Sequence, residues 1–140
     1  RDDWQTPPAL LAQLSEAYGP FDFDPCPCPR PEGFDGLTMP WGKRNFVNPP
    51  YGRGIGDWLR KASNEWSQMG KNSLFLIPAK TDTKWFHEIV CPRAAEVVLI
   101  KGRVKFVGAE QGAPFPSMLV WFGPGIHSGG LLFQTFEQKK

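Results

Sequence analysis

Apolar residues along this chain recur at helical spacing in some stretches and as short bounded runs in others. Ile55, Trp58, Leu59, Ala62, Trp66 and Met69 fall at i, i+3, i+4, i+7, i+11 and i+14, which predicts an amphipathic helix closed by Gly70. Leu10, Leu11, Leu14, Ala17 and Tyr18 predict an earlier helix. It starts at Thr6-Pro7-Pro8, where a threonine can cap and proline suits the first turn, and ends at Gly19-Pro20. A third helix is expected from residue 82 or 83 to residue 90, stopped by Pro92. Residues 73–77 form an apolar run bounded by Pro78, the pattern of a buried strand. Further strands are expected at 21–24, broken by Pro25, and at 45–47, 96–100, 103–107, 117–122 and 131–136. Residues 26–40 carry Pro27, Pro29 and Pro31 and read as loop.

Helix and strand alternate in the first half, and strands cluster in the second. That order predicts an α/β fold with a sheet parallel at its centre and antiparallel at one end. The 140 residues suffice for one domain with one core, and no repeat or linker interrupts them. In such sheets ligands bind beyond the carboxyl ends of the strands. Asp24, Asn48 and Pro78 each follow a predicted strand, so they are expected along one rim.

Composition narrows the class. No run of 18 apolar residues is present, so no membrane span is expected, and no signal peptide is visible. The chain opens at Arg1 without Met, so residues are expected to precede it. Cys26, Cys28 and Cys91 make no disulfide framework, and with only His87 and His127 as companions no zinc site is expected. Reduced thiols in the cytoplasm fit this usage. A net charge of +2 permits a nucleic-acid partner without requiring one, so the placement of charge matters more than its sum. Lys101, Arg103 and Lys105 alternate and share one face of a predicted strand, with Val104 and Phe106 on the other. Lys43, Arg44 and Arg53 flank the segment around Asn48, and Lys80 and Lys84 follow Pro78. These eight basic positions, with Phe106 as a stacking ring, are the expected nucleic-acid contacts.

Asn48-Pro49-Pro50-Tyr51 carries the sharpest chemistry. Two prolines lack the N–H that a ladder needs, so the chain must leave the sheet at Asn48. The Asn48 amide and the carbonyls of Asn48 and Pro49 can then converge on one point, which suits an exocyclic amino group, and Tyr51 can supply a flat neighbour. The tetrapeptide resembles the catalytic motif of S-adenosylmethionine-dependent amino-group methyltransferases. Four further stretches extend the likeness. They are Trp4-Gln5-Thr6-Pro7, Phe21-Asp22-Phe23-Asp24, Thr83-Lys84-Trp85-Phe86-His87 and Lys101-Gly102-Arg103-Val104-Lys105-Phe106. Together, from about residue 3 to about residue 122, they resemble the small phage-type DNA N6-adenine methyltransferases related to phage Dam enzymes.

The resemblance implies a compact Rossmann-like class I methyltransferase with helices on both faces of its sheet, S-adenosylmethionine as cofactor and DNA as partner. It implies a catalytic role for Asn48, Pro49, Pro50 and Tyr51, and cofactor contacts from Thr6, Pro7, Asp24, Pro25, Cys26, Asp35, Asn48 and Pro49. Asp24 would meet the cofactor's ammonium, Thr6 its carboxylate and Asp35 its adenine amino group. Tyr51 and Phe106 would take the two faces of a flipped adenine. The chain departs from the family pattern at Asp24, which is followed by Pro25-Cys26-Pro27-Cys28-Pro29 instead of glycines. A ribose-binding acid has no clear counterpart, Asp22 and Glu32 being poor candidates. The alternatives are a related enzyme acting on RNA or a glutamine amide, and an inactive nucleic-acid-binding domain of the same fold.

Overall fold

The computed structural model describes residues 4–52, 54–125 and 132–139. Helix α1 spans Pro8–Tyr18. Strand β1 (Arg44–Val47), helix α2 (Ile55–Met69) and strand β2 (Asn72–Pro78) follow. A π-helical turn at Phe86–Val90 runs into the short α3 (Cys91–Arg93), and the chain ends in β3 (Glu96–Lys101), β4 (Ser117–Phe122) and β5 (Leu132–Glu137).

The five strands form one sheet in the order β1-β2-β4-β3-β5. β1 pairs parallel with β2, and β3 with β5, while β4 is antiparallel to both its neighbours. Four strands therefore run the same way, as a mostly parallel sheet requires. The reversed strand lies in the middle of the order, where the sequence pattern had put it at one end. The reason is a short return: β3 leaves its carboxyl end at Lys101 and the chain comes back along β4 in the space between β2 and β3.

β2 and β4 are the floor of the core. In β2 every residue from Ser73 to Pro78 is buried, so both faces of the strand are covered. Phe75 and Phe122 meet edge to face with centroids 5.8 Å apart. Helix α2 packs against both strands and ends where Gly70 adopts φ +69°, a conformation glycine takes at little cost. Helix α1 lies against the face that carries Glu96 and Trp121. Tyr18 Oη donates to Glu96 Oε1 at 2.7 Å and its ring sits 5.4 Å from Trp121. Gln134 of β5 donates to the other Glu96 oxygen, so one buried carboxylate joins α1, β3 and β5. Burial and the Glu96 contact both push the Tyr18 hydroxyl pKa well above its ordinary value.

Three expected elements differ. Residues 21–24 make a single parallel bridge, Phe23 to Asn45, because Pro25 cannot extend it and the Asp22 carboxylate takes the Lys43 and Arg44 N–H groups itself, at 3.2 and 2.9 Å. Residues 103–107 form no strand. Gly102, at φ +78°, turns the chain away from β3, and Val104 and Val107 bond to Ala113 and Gln5 in loops. The third helix continues past Pro92 to Arg93. Thr83 caps it through Oγ1, which accepts from Phe86 N at 3.3 Å. Leu131, expected to open the last strand, lies outside the described residues.

Asn45 pins β1 in place. It is fully buried, its Oδ1 accepts from Gly42 N, and its Nδ2 donates to the carbonyls of Gly42 and Asn72. Asn45→Ala would leave those backbone groups without partners, so a loss of about 1–3 kcal/mol is expected. It should appear as a lower denaturant midpoint with an unchanged slope.

Candidate active site

β1, β2 and β3 all point the same way, so Asn48, Pro78 and Lys101 emerge on one rim, and Asp24 joins them through the parallel bridge at Phe23. The rim expected from sequence is therefore present. Asn48 follows β1 directly. Its Nδ2 donates to the Trp4 carbonyl and, at 2.9 Å, to Thr6 Oγ1. Its Oδ1 is buried and has no hydrogen-bond partner. A buried amide oxygen left so costs about 1–3 kcal/mol. Thr6 consequently does not cap α1: the first turn has Pro7 at its N-cap and no side-chain cap.

Asn48 and Pro50 line a pocket of about 310 Å³ together with Cys26, Asp35, Gly36 and Trp58. Asp35 accepts from Leu37 N at 3.0 Å and shapes the 3₁₀ turn at Gly36–Thr38. Gly36 has a specific reason to be glycine, since a Cβ there would lie 2.0 Å from the Pro25 carbonyl oxygen. The two walls of the pocket thus touch backbone to backbone. The Trp41 indole donates to the Gly36 carbonyl at 2.8 Å and stacks on Trp58 at 6.4 Å, which fixes the turn to α2. Asp24 does not line this pocket. It opens onto a second hollow with Leu11, Ser15, Phe23 and Phe46, and its carboxylate accepts from Cys26 N at 2.8 Å. Part of Asp24 stays in water, yet the surrounding protein disfavours its charge and pushes its pKa up to about 6. The neighbouring Asp22 shifts the other way, held below the ordinary range chiefly by the Arg44 N–H.

Tyr51 is anchored in the core. Its hydroxyl donates to the Leu76 carbonyl at 3.1 Å, and burial raises its pKa far above the ordinary value. Its ring lies 6.1 Å from Phe106, edge to face, and Trp4 packs on both, at 6.4 Å from Tyr51 and 5.3 Å from Phe106. Phe115 closes the cluster. Phe106 is buried, and its ring meets Tyr51 edge to face with no base-sized gap between them.

The basic residues divide into two sets. Lys101, at the carboxyl end of β3, and Arg103 and Lys105 beyond it are exposed and line a hollow of about 600 Å³ with Pro7. Their alternation with buried Val104 and Phe106 persists without a strand. Arg103 Nη1 donates to the Ala113 carbonyl and Lys101 pairs with Glu137 at 3.8 Å. Lys80 and Lys84 also lie beyond the rim end of β2 and are exposed, with Lys84 4.0 Å from Glu88. Lys43 and Arg44, by contrast, sit at the amino end of β1. That is roughly 13 Å along the strand from Asn48 at ~3.3 Å per residue, and Arg44 is tied to the Gly19 carbonyl. Adjacency in sequence does not survive as adjacency to the rim. Arg53 lies outside the described residues. Trp4, Arg30 (which also lines the Asn48 pocket), Gly36, Asn45 and Trp58 were given no site role from sequence. Trp4 carried a signal as part of the Trp4-Gln5-Thr6-Pro7 stretch, and Trp58 as a helix position on the apolar face of α2. Among the described residues, no group of three or more His, Cys, Asp and Glu side chains is placed to hold a metal ion, and no helix is long and apolar enough to cross a membrane.

The structure is a mixed α/β sheet with the Asn-Pro-Pro-Tyr turn at its carboxyl rim. Residues 1–122 match the Dam family of DNA N-6-adenine-methyltransferases, and the chain belongs to that family. It is 30% identical, over 165 aligned positions, to a DNA N-6-adenine-methyltransferase of Escherichia phage T1. The match takes in all of this chain and 65% of the phage protein, so the chain spans under two-thirds of that relative's length. No solved structure matches it.

Asp24 generates a prediction of definite sign. A carboxyl whose pKa is higher in the folded state than in the unfolded chain stabilises the fold fully below about pH 3.8, and that contribution is lost as pH rises through about 6. Asp24→Asn keeps an acceptor for Cys26 N and removes the charge. Its melting temperature should exceed that of the parent chain at pH 7–8, and the difference should vanish as pH falls toward 4.

Proposed function

We propose that this chain transfers the methyl group of S-adenosylmethionine to the N6 amino group of adenine in DNA. The observation that carries this reading is the Asn48 amide: both its donors are committed to the protein, and its buried acceptor is not. Adenine N6 is a poor nucleophile because its lone pair is delocalised into the ring. Asn48 Oδ1 and the Pro49 carbonyl would accept its two hydrogens, favour a pyramidal nitrogen and stabilise the positive charge that develops on it. Rigid anchoring of Asn48 and Tyr51 at the two ends of the tetrapeptide would hold the base in line for attack. No nucleophilic side chain is required, and the proton passes to water after transfer.

The pocket bounded by Asp35, Cys26, Gly36 and Trp58 suits a cofactor's planar and polar parts, and the Asp24 carboxylate, one residue before Pro25 of its wall, suits an ammonium. Bound there, S-adenosylmethionine supplies an electrophilic methyl on a sulfonium. The open Pro25–Pro29 loop replaces a glycine-rich turn, so cofactor affinity is expected to be modest. A base in duplex DNA must leave the stack to reach Asn48. The ring cluster of Trp4, Tyr51 and Phe106 has to part for it to enter between the last two. Lys101, Arg103, Lys105, Lys80 and Lys84 would meet phosphates on the rim side.

Two measurements test this. Incubation with S-adenosylmethionine and unmethylated DNA, followed by nucleoside mass spectrometry, should yield N6-methyladenine. Asn48→Ala should reduce it at least about a hundredfold while the fold is retained. Methylated RNA with unmodified DNA, or N4-methylcytosine, would change the substrate. No product from either nucleic acid would leave the inactive-domain reading. Separately, replacing Lys101, Arg103 and Lys105 with alanine should weaken DNA binding and flatten its log–log salt slope by about 2–3. An unchanged slope would put the DNA path elsewhere.

A further inference from the structure

We infer that Thr6 is a positioning residue for Asn48: its hydroxyl, with the Trp4 carbonyl, fixes the amide so that Oδ1 is the end offered to a substrate amino group. The inference rests on the reading of Asn48 given above. It begins with local chain chemistry. Thr6 precedes Pro7, and a residue before proline is held in extended backbone. Pro7 in turn opens α1, so Thr6 cannot join the helix, and its side chain is not spent on a cap. The segment it belongs to is fastened on either side of the site. Gln5 O accepts from Val107 N at 3.0 Å, and the Trp4 ring packs among Tyr51, Phe106 and Phe115.

An amide can present either of two ends. A backbone carbonyl only accepts, so the end of Asn48 that faces Trp4 O must be the NH₂. Rotation by 180° would set two acceptor oxygens against each other. The Thr6 hydroxyl can accept or donate, and beside a fixed NH₂ it accepts, at 2.9 Å. Both Nδ2 hydrogens are then taken, and Oδ1 alone remains without a partner. Asn72 Oδ1 and Ser117 Oγ are also buried without a partner among the described residues, but of the three residues only Asn48 lines one of the pockets described above, so its oxygen is the one placed to meet an N–H from a ligand. This assignment differs from the role in cofactor-carboxylate binding expected from sequence, and the two separate experimentally.

Thr6→Val removes the hydroxyl with little change of shape, and Thr6→Ser restores it. Thr6→Val should lower kcat by about tenfold, the scale of one lost hydrogen bond, with KM for S-adenosylmethionine unchanged, and Thr6→Ser should recover most of the rate. A raised KM for the cofactor with kcat intact would overturn the inference in favour of carboxylate binding, as would unaltered kinetics. A second readout does not need activity. The side-chain amide cross-peaks of Asn48, assigned by their loss in Asn48→Ala, should move and exchange faster with water in Thr6→Val and return in Thr6→Ser. Peaks indifferent to Thr6→Val would overturn the inference even in a protein with no turnover. Peaks that respond in a protein without methyl transfer would support the hydrogen bond and count against the catalytic reading alone.

Discussion

How the chain leaves β1 constrains everything at the rim. Residues 49 and 50 have no N–H to donate, so pairing with β2 stops at Val47 and the next side chain is released at the strand's carboxyl end. Position alone would not hold it there. Asn45, three residues earlier, clamps the strand against β2 and the preceding turn, and the Asp22 carboxylate secures the backbone of Lys43 and Arg44. Beyond the prolines, Tyr51 bonds to the backbone of β2. The tetrapeptide is thus fixed at both ends to one strand pair, and Asn48 and Pro50 are held on the wall of the pocket.

Rigidity of that pair comes from β4. Because β4 lies between β2 and β3, the strands that carry the rim flank a central element whose side chains are almost wholly buried. A reversed strand also brings its amino end, Ser117, to the same rim and its preceding loop over the site. Ala79 N bonds to the Pro116 carbonyl there, and Phe115 reaches the Tyr51 ring. The antiparallel centre therefore contributes one wall of the ring cluster, which a reversed strand at the edge could not do.

The sequence was most legible where one physical signal dominated. Helix α2 and strand β2 follow from periodicity and length, and Asn48 at a strand end follows from the two prolines. What was illegible depended on partners distant in the chain. Residues 103–107 alternate like a strand and bury the same side chains a strand would, but their backbone groups bond to loops, which alternation cannot report. Residues 21–24 have strand composition, and Asp22 competes with the ladder through its own carboxylate. Thr6 has the signature of a cap, yet its hydroxyl serves a residue 42 positions away. Lys43 and Arg44 flank the motif in sequence, but a strand separates its two ends in space.

Two asparagines on the same short strand segment show how structural and functional polarity can be told apart. Asn45 and Asn48 are three residues apart, and each has its amide donors fully engaged. At Asn45 the oxygen is engaged too, by Gly42 N, so the group closes on itself and only stabilises. At Asn48 the oxygen is buried without a partner, so folding pays there for an interaction the protein alone does not complete. Asp24, further along the rim, accepts from Cys26 N, yet its surroundings still resist its charge. An unpartnered acceptor and a disfavoured anion on one rim are complementary to a ligand that brings N–H donors and a positive charge. The methyl donor and the base amine proposed above would bring that chemistry.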